Sequence, residues 1–170
     1  MPRILKWTAL VIAAVFALAQ LVRPARVNPP TGDALALPAR SRMTPEVEGI
    51  LRRACLDCHS NQTRWPWYSN VAPASWFVID HVNHGRRHLN FSTWAERGRP
   101  ERIELLEEIN KTVRSGSMPL DSYTLLHPEA RLSEQERAAI CDWASAERER
   151  SLAEAGGDDG RKREARPSNN

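Results

Sequence analysis

Two cysteines, separated by two residues and followed at once by a histidine, constrain this chain more than any other feature of its sequence. The segment reads Cys55-Leu56-Asp57-Cys58-His59. Two thiols one helical turn apart can bond to the two vinyl groups on one edge of a haem. The histidine that follows then lies beneath the ring, with its imidazole directed at the iron. The motif therefore predicts a covalently attached c-type haem, with Cys55 and Cys58 as attachment points and His59 as an iron ligand.

Two other uses of a Cys-x-x-Cys pair stay open as weaker alternatives. A disulfide redox site usually lies beside a βαβ unit, and no run of alternating residues predicts a strand here. A zinc site needs further ligands at a matching spacing. The histidines at positions 81, 84 and 88 could supply them.

The N-terminus has the pattern of an export segment. Arg3 and Lys6 precede an uncharged, largely apolar run from Trp7 to Val22, which is the order of a secretion signal. Cleavage after Ala19 would release a soluble periplasmic protein. Alternatively, residues 1–23 stay as a transmembrane helix, a single-pass anchor in a bacterial inner membrane, although the apolar run covers only about 24 Å of a hydrocarbon core of about 30 Å. Both alternatives place the rest of the chain in the periplasm.

Composition divides the remainder into three parts. Residues 24–43 are rich in proline and predict an extended linker that holds the domain away from the bilayer. Residues 44–150 contain the periodic apolar pattern of a folded domain. Residues 151–170 are polar and glycine-rich, which is typical of a disordered tail.

Four helical segments predict an all-α domain. The first runs directly into the haem motif, the second reaches about Arg87, and the third ends at Gly116. Ser133 and Glu136 form a capping box before the last helix, on which Cys141 is predicted to be a small buried residue. The four predicted helices begin at Thr44-Pro45, Ser75, Pro100-Glu101 and Ser133.

The second axial ligand of the iron decides the class of function. Met118 is the preferred candidate, because it is the one methionine inside the predicted domain and lies between two predicted helices. A methionine thioether raises the reduction potential and favours electron transfer, whereas a second histidine lowers the potential. The rival ligands are His81, His84, His88 and His127.

Two tryptophans directly after the motif are candidates for the wall of the haem pocket. Haem presents a large flat apolar surface, and aromatic rings cover such a surface with little loss of entropy. Trp65 and Trp67 are therefore predicted to contact the cofactor. Ordinary packing in the protein core is the alternative.

Several ordered motifs resemble the bacterial haem-binding domain family that carries Cys-x-x-Cys-His. The segment Arg23–Pro30 resembles the membrane-proximal stretch of that family, which favours a retained anchor. The Met118-Pro119 pair before a last helix resembles class I cytochromes c, and this resemblance implies a cytochrome c-like fold with His59 as the proximal ligand and Met118 as the distal one. Within residues 24–147, the matching motifs are Cys55–Ser60, Trp65–Asn70, His88–Ser92, Met118–Leu120 and Tyr123–Ala130.

These features predict a membrane-anchored periplasmic monohaem cytochrome that passes single electrons between redox partner proteins. A haem-based sensor or a peroxidase-like enzyme with an exchangeable sixth ligand is the main alternative, and a structural haem is a third. The net charge is only +3 and the basic residues are interleaved with acidic ones, so nucleic-acid binding is not expected.

Overall fold

All the regular secondary structure in the part of the chain that the structure describes is helical. A computed structural model describes residues 2–32 and 36–164, and no strand occurs in these ranges. The prediction of an all-α fold is therefore confirmed. The helices are α1 (Pro2–Ala19), α2 (Leu37–Arg40), α3 (Pro45–Ala54), α4 (Leu56–His59), α5 (Ala74–His88), α6 (Arg99–Arg114), α7 (Asp121–Thr124) and α8 (Glu134–Glu164). Short 3-10 turns occupy Trp67–Asn70, Phe91–Glu96 and Pro128–Ala130.

The centre of the domain is the contact between α6 and α8, with α3 packed across α8. Leu106 of α6 and Ile140 of α8 are fully buried, because apolar residues recur every three or four positions on the facing sides of both helices. The amide of Asn110 joins the two helices, since its Nδ2 donates to the carbonyl oxygen of Cys141 at 3.0 Å and to Ser145 Oγ at 2.7 Å. Cys141 is buried, as predicted.

Two of the predicted helix starts are confirmed by their capping hydrogen bonds. Thr44 Oγ1 accepts from the backbone N–H of Val47 at 3.2 Å and begins α3. At the start of α8, the carboxylate of Glu136 accepts from the N–H of Ser133 at 2.8 Å, and Ser133 Oγ accepts from the N–H of Glu136 at 3.2 Å. The predicted start of α5 is two residues too late: Ser75 lies inside the first turn of the helix, where its N–H donates to the carbonyl of Val71 at 2.9 Å.

The described part of the proline-rich segment lies along the domain, and its role as a linker stays a prediction. Residues 24–32, here called the strap, run back along the domain. Asn28 Nδ2 donates to the carbonyl of Thr63 at 2.9 Å, and Arg86 Nη1 donates to the carbonyl of Val27 at 2.6 Å. Farther along, Leu37 is only 1% exposed and belongs to the main core. The buried side chain of Leu37 and the hydrogen bonds donated by Arg86 hold the segment against the domain. In an extended chain, the Leu37 side chain would be exposed to water and Arg86 would lose these acceptors.

The last helix continues past residue 150, where the sequence predicted a disordered tail to begin. Arg150 pairs with Glu147 one turn before it and with Glu154 one turn after it, at 2.9 Å for the second pair. Such pairs at three- and four-residue spacing stabilise a helix across the predicted boundary. The helix reaches Glu164, and residues 165–170 of the predicted tail lie outside the described residues.

The N-terminal segment forms α1, and its large apolar side chains are exposed. None of the helices in the described ranges has both the length and the apolar character that crossing a membrane requires. The predicted transmembrane helix is thus not supported, and the role of this segment in export stays a prediction.

Candidate functional site

The Cys-x-x-Cys-His motif lies at a sharp bend between two helices. Cys55 ends α3 and precedes the one-turn helix α4 with φ −126° and ψ −39°. Its carbonyl oxygen accepts from the N–H of Cys58 at 3.2 Å and of His59 at 2.9 Å. This single turn brings the two thiols and the imidazole to one side of the chain.

The motif opens onto a cavity of about 580 Å³, within the range of about 300–1,000 Å³ that is usual for cofactor sites. Cys55, Cys58, His59 and Met118 all line it. A narrower apolar extension, which also touches Cys55, His59 and Met118, is lined by Leu51, Leu89, Phe91, Leu105, Ile109 and Val113. Two thiols, an imidazole and a thioether beside an apolar surface form a suitable donor set for a flat apolar ring with a central iron.

The imidazole of His59 is held in one orientation. Its Nδ1 lies 3.1 Å from the carbonyl oxygen of Leu89, and the edge of the Phe91 ring packs against it at 6.3 Å between centroids. A carbonyl accepts only from a protonated nitrogen, so Nε2 keeps its lone pair. Burial lowers the pKa of His59, which further favours the neutral ring. These are the properties required of an iron ligand.

The surroundings of the two thiols of the motif favour the protonated form of both. Both are free of disulfide bonds. Burial raises the pKa of Cys55 to about 12 and that of Cys58 to about 11, with the neighbouring thiol and the Asp57 carboxylate adding to the respective effects. Redox-active Cys-x-x-Cys sites have lowered thiol pKa values. The shift therefore argues against a disulfide redox site.

Met118 follows α6 at a tight turn. Gly116 adopts φ 75°, which favours glycine, and the chain then folds back so that the N–H of Met118 donates to the carbonyl of Thr112 at 3.2 Å. This turn brings the half-buried Met118 to the same cavity as His59.

The rival histidines are divided between two places. His81, His84 and His88 of α5 line the wider cavity. His88 Nε2 lies 2.9 Å from a carboxylate oxygen of Glu108. His127 does not line the cavity. Its two ring nitrogens form hydrogen bonds with the hydroxyl of Tyr68 and the carboxylate of Glu129.

Neither tryptophan that was predicted to wall the pocket lines the cavity. The 3-10 turn that begins at Trp67 directs this side chain outward, and 77% of it is exposed. Trp65 instead lies beneath the guanidinium of Arg86, with 5.9 Å from Cζ to the ring centroid. The predicted contact of these two residues with a haem stays a prediction.

A buried carboxylate within the motif organises its outer side, which the sequence did not reveal. Asp57 accepts from the backbone N–H of Arg64 at 3.0 Å and from the hydroxyl of Tyr123 at 2.8 Å. The Tyr123 ring stacks on His127 with 4.4 Å between centroids, and His127 bonds Tyr68 at 2.8 Å. Burial, followed by the bond to Asp57, raises the pKa of Tyr123. The network anchors the segment Tyr123–Ala130 to the motif.

Two neighbouring residues of α5 were also missed by the sequence analysis. A Cβ atom on Gly85 would lie 2.6 Å from the carbonyl oxygen of Cys58, so only glycine allows α5 to approach the motif this closely. Arg86 Nε donates to the carbonyl of Ser60 at 2.7 Å and its Nη2 donates to Thr63 Oγ1 at 2.7 Å. The sequence signal that could have identified Gly85 is its position as a single glycine inside a helical pattern.

The zinc alternative has no support among the described residues, where no group of three or more His, Cys, Asp and Glu side chains could hold a metal ion. This applies also to the three histidines of α5, which lie on the cavity wall together with Asp80.

Comparison with known proteins gives one match. A family model described as a haem-binding domain matches residues 14–146, from within α1 to within α8. No curated protein and no solved structure matches the chain significantly.

Proposed function

The chain belongs to the haem-binding domain family, and we propose that it is a periplasmic monohaem cytochrome that carries single electrons. Cys55 and Cys58 would hold the haem covalently, and His59 and Met118 would supply the protein donors to its iron. The observation that carries this proposal is that these four side chains line one cavity although Met118 is 59 residues from His59 in the chain.

The position of the two thiols supports attachment. A thioether forms when a thiol adds its sulfur and its proton across a vinyl group, and both thiols line the cavity proposed for the haem. The one-turn helix α4 and the close approach of Gly85 hold the backbone of the motif in place.

Other residues of the site orient the iron ligand His59 and control the access of water to the cofactor. When bound, the haem supplies one-electron oxidation and reduction at its iron. The carbonyl of Leu89 orients His59, and apolar side chains such as Phe91 and Ile109 exclude water from the narrower part of the cavity. Met118 would supply a thioether to the iron, a type of donor that raises the reduction potential. These properties are those of an electron carrier.

The N-terminal segment supports a location outside the cytoplasm. Arg3 and Lys6 before an apolar run are typical of an export signal, and residues 1–23 serve this purpose whether or not cleavage follows Ala19. The electron donors and acceptors are then redox proteins that reach the periplasmic side of the inner membrane.

Covalent attachment is tested on protein produced in a host that assembles c-type cytochromes. We expect the peptide that contains Cys55 and Cys58 to carry the added mass of one haem after denaturation. In the Cys58→Ala variant, one thioether should remain and the absorption bands of the pyridine haemochrome should shift to longer wavelength. Colourless protein without added mass would contradict the proposal.

The distal ligand is tested with carbon monoxide. The reduced wild type should keep its absorption bands under carbon monoxide, because Met118 occupies the sixth position. The Met118→Ala variant should bind carbon monoxide and have a lower reduction potential, whereas the His88→Ala control should behave like the wild type. Rapid binding by the wild type would instead favour a haem sensor or a peroxidase-like enzyme.

A further inference from the structure

The exposed large apolar side chains of the folded domain are concentrated in one place. Within the described part of residues 28–150, five such side chains are exposed, and we call them the aromatic patch. Their exposed fractions are 77% for Trp67, 36% for Trp76, 52% for Phe77, 73% for Leu125 and 58% for Leu126. Single exposed apolar residues are common on protein surfaces, but a cluster usually marks a site of interaction.

The aromatic patch is contiguous although its members come from three segments. The Trp67 ring packs edge-on against Tyr68 at 5.8 Å, and the Tyr68 hydroxyl bonds His127, the residue after Leu126. Phe77 and Leu126 both line one small cavity of about 130 Å³. The apolar side chains of the patch therefore lie side by side, although they belong to the 3-10 turn at Trp67, the first turn of α5 and the segment after α7.

Helix α1 joins the domain at this patch. Gln20 is bonded to both backbone groups of Ala72, at 2.9 Å and 3.2 Å, and Trp76 Nε1 donates to the carbonyl of Val22 at 2.8 Å. The large apolar side chains of α1 are all exposed, from 50% for Phe16 to 74% for Ile4. Two uncovered apolar surfaces therefore adjoin at one end of the molecule.

We propose that the aromatic patch rests on the surface of a lipid bilayer, which α1 also contacts. A helix that docks on a protein groove keeps one polar face toward water, whereas α1 is apolar on every side between Trp7 and Ala19. Such a helix can lie against lipid without crossing the bilayer. Indole rings are favoured at the boundary between headgroups and hydrocarbon.

The charges at the junction agree with a lipid surface. Arg23 and Arg26 are exposed directly after α1, where anionic headgroups attract basic side chains. Arg86 and Thr63 bind the strap to the domain. The domain therefore lies close to the bilayer.

Hydroxyl-radical footprinting of the full chain, with and without vesicles of phosphatidylcholine and phosphatidylglycerol, tests this orientation. We expect oxidation of Trp67, Phe77 and Leu125 to fall severalfold on vesicles. Leu152, which is also exposed but lies on α8, should be oxidised at the same rate in both samples. Equal oxidation of the patch with and without vesicles, while the protein stays vesicle-bound, would overturn the proposal.

A paired substitution separates the patch from the contribution of α1. The full chain with Trp67→Ser and Leu125→Ser should float with vesicles at a severalfold higher lipid requirement than the wild type, whereas Leu152→Ser should not change it. Both variants should keep the haem absorption of the wild type, so this result does not depend on the proposed electron transfer. Patch protection that rises with protein concentration in the absence of lipid would instead identify a second copy of the chain as the occupant and contradict the proposal.

Discussion

Gly85 shows how one atom can determine whether the site forms. The backbone of α5 passes the motif so closely that a Cβ atom at position 85 would lie 2.6 Å from the carbonyl oxygen of Cys58. Side chains essentially never approach a backbone oxygen to this distance, so either α5 or α4 would have to move. Because α4 carries Cys58 and His59, such a movement would displace the residues that are predicted to hold the haem.

We expect Gly85→Ala to lower both the free energy of unfolding and the amount of haem attached per protein. An interior clash of this kind costs about 1–3 kcal/mol. Gly49→Ala is the matched control, because Gly49 also lies within a helix but has open space around it; it should stabilise the protein by about 0.5–1 kcal/mol. Urea denaturation and the haem absorbance per protein provide the two measurements, and a Gly85→Ala variant as stable as Gly49→Ala would contradict the contact.

At the scale of the element, the start of α8 joins local and long-range contacts. The carboxylate of Glu136 accepts from the N–H of Ser133 and also pairs with Arg53 of α3. These partners, beginning with the backbone bond to Ser133, lower the pKa of Glu136. The capping box therefore fixes both the first turn of α8 and its position against α3.

The lowered pKa of Glu136 predicts a pH-dependent contribution to stability. A carboxylate with a lower pKa in the folded state stabilises the protein above the pKa of the unfolded chain, and this contribution is lost as the pH falls through the folded value. Glu136→Gln should therefore cost about 1 kcal/mol near pH 7, and the difference from the wild type should shrink below about pH 4. Thermal unfolding across this range measures it. Glu134→Gln serves as the control. Because glutamine at position 136 keeps the capping box, an equal loss at both positions would argue against a contribution from the charge of Glu136.

At the scale of the whole molecule, Arg86 joins three parts of the chain. Its guanidinium donates to the carbonyl of Val27 and to Asn28 Oδ1 in the strap, and to Ser60 and Thr63 in the loop after the motif. Burial lowers the pKa of Arg86, and these four acceptors offset that cost. These hydrogen bonds therefore connect the strap and the loop after the motif to α5.

Arg86→Lys should release the strap, because an ammonium group cannot reach these acceptors in the fork geometry of a guanidinium. Hydrogen bonds to a charged group contribute about 1.5–3 kcal/mol, so local opening should increase by about tenfold or more. The initial rate of trypsin cleavage after Arg26 measures this opening. The exposed neighbour provides the control, since Arg87→Lys should leave the rate unchanged; similar rates in both variants would show that Arg86 does not hold the strap.

The features that the sequence alone determined are local. The spacing of Cys55, Cys58 and His59, the capping box at Ser133 and the apolar period of α6 each depend on residues within a few positions of one another. The all-α class and the family follow from such patterns. They were predictable because backbone geometry converts a short spacing directly into a position on a helix.

Only the tertiary structure decided which distant residues meet. The bond between Tyr123 and Asp57 spans 66 positions, the strap folds back onto Arg86, and Trp67 turns outward. Each outcome depends on the competition of many side chains for the same buried surface and the same hydrogen-bond partners. No pattern within one segment records the result of that competition.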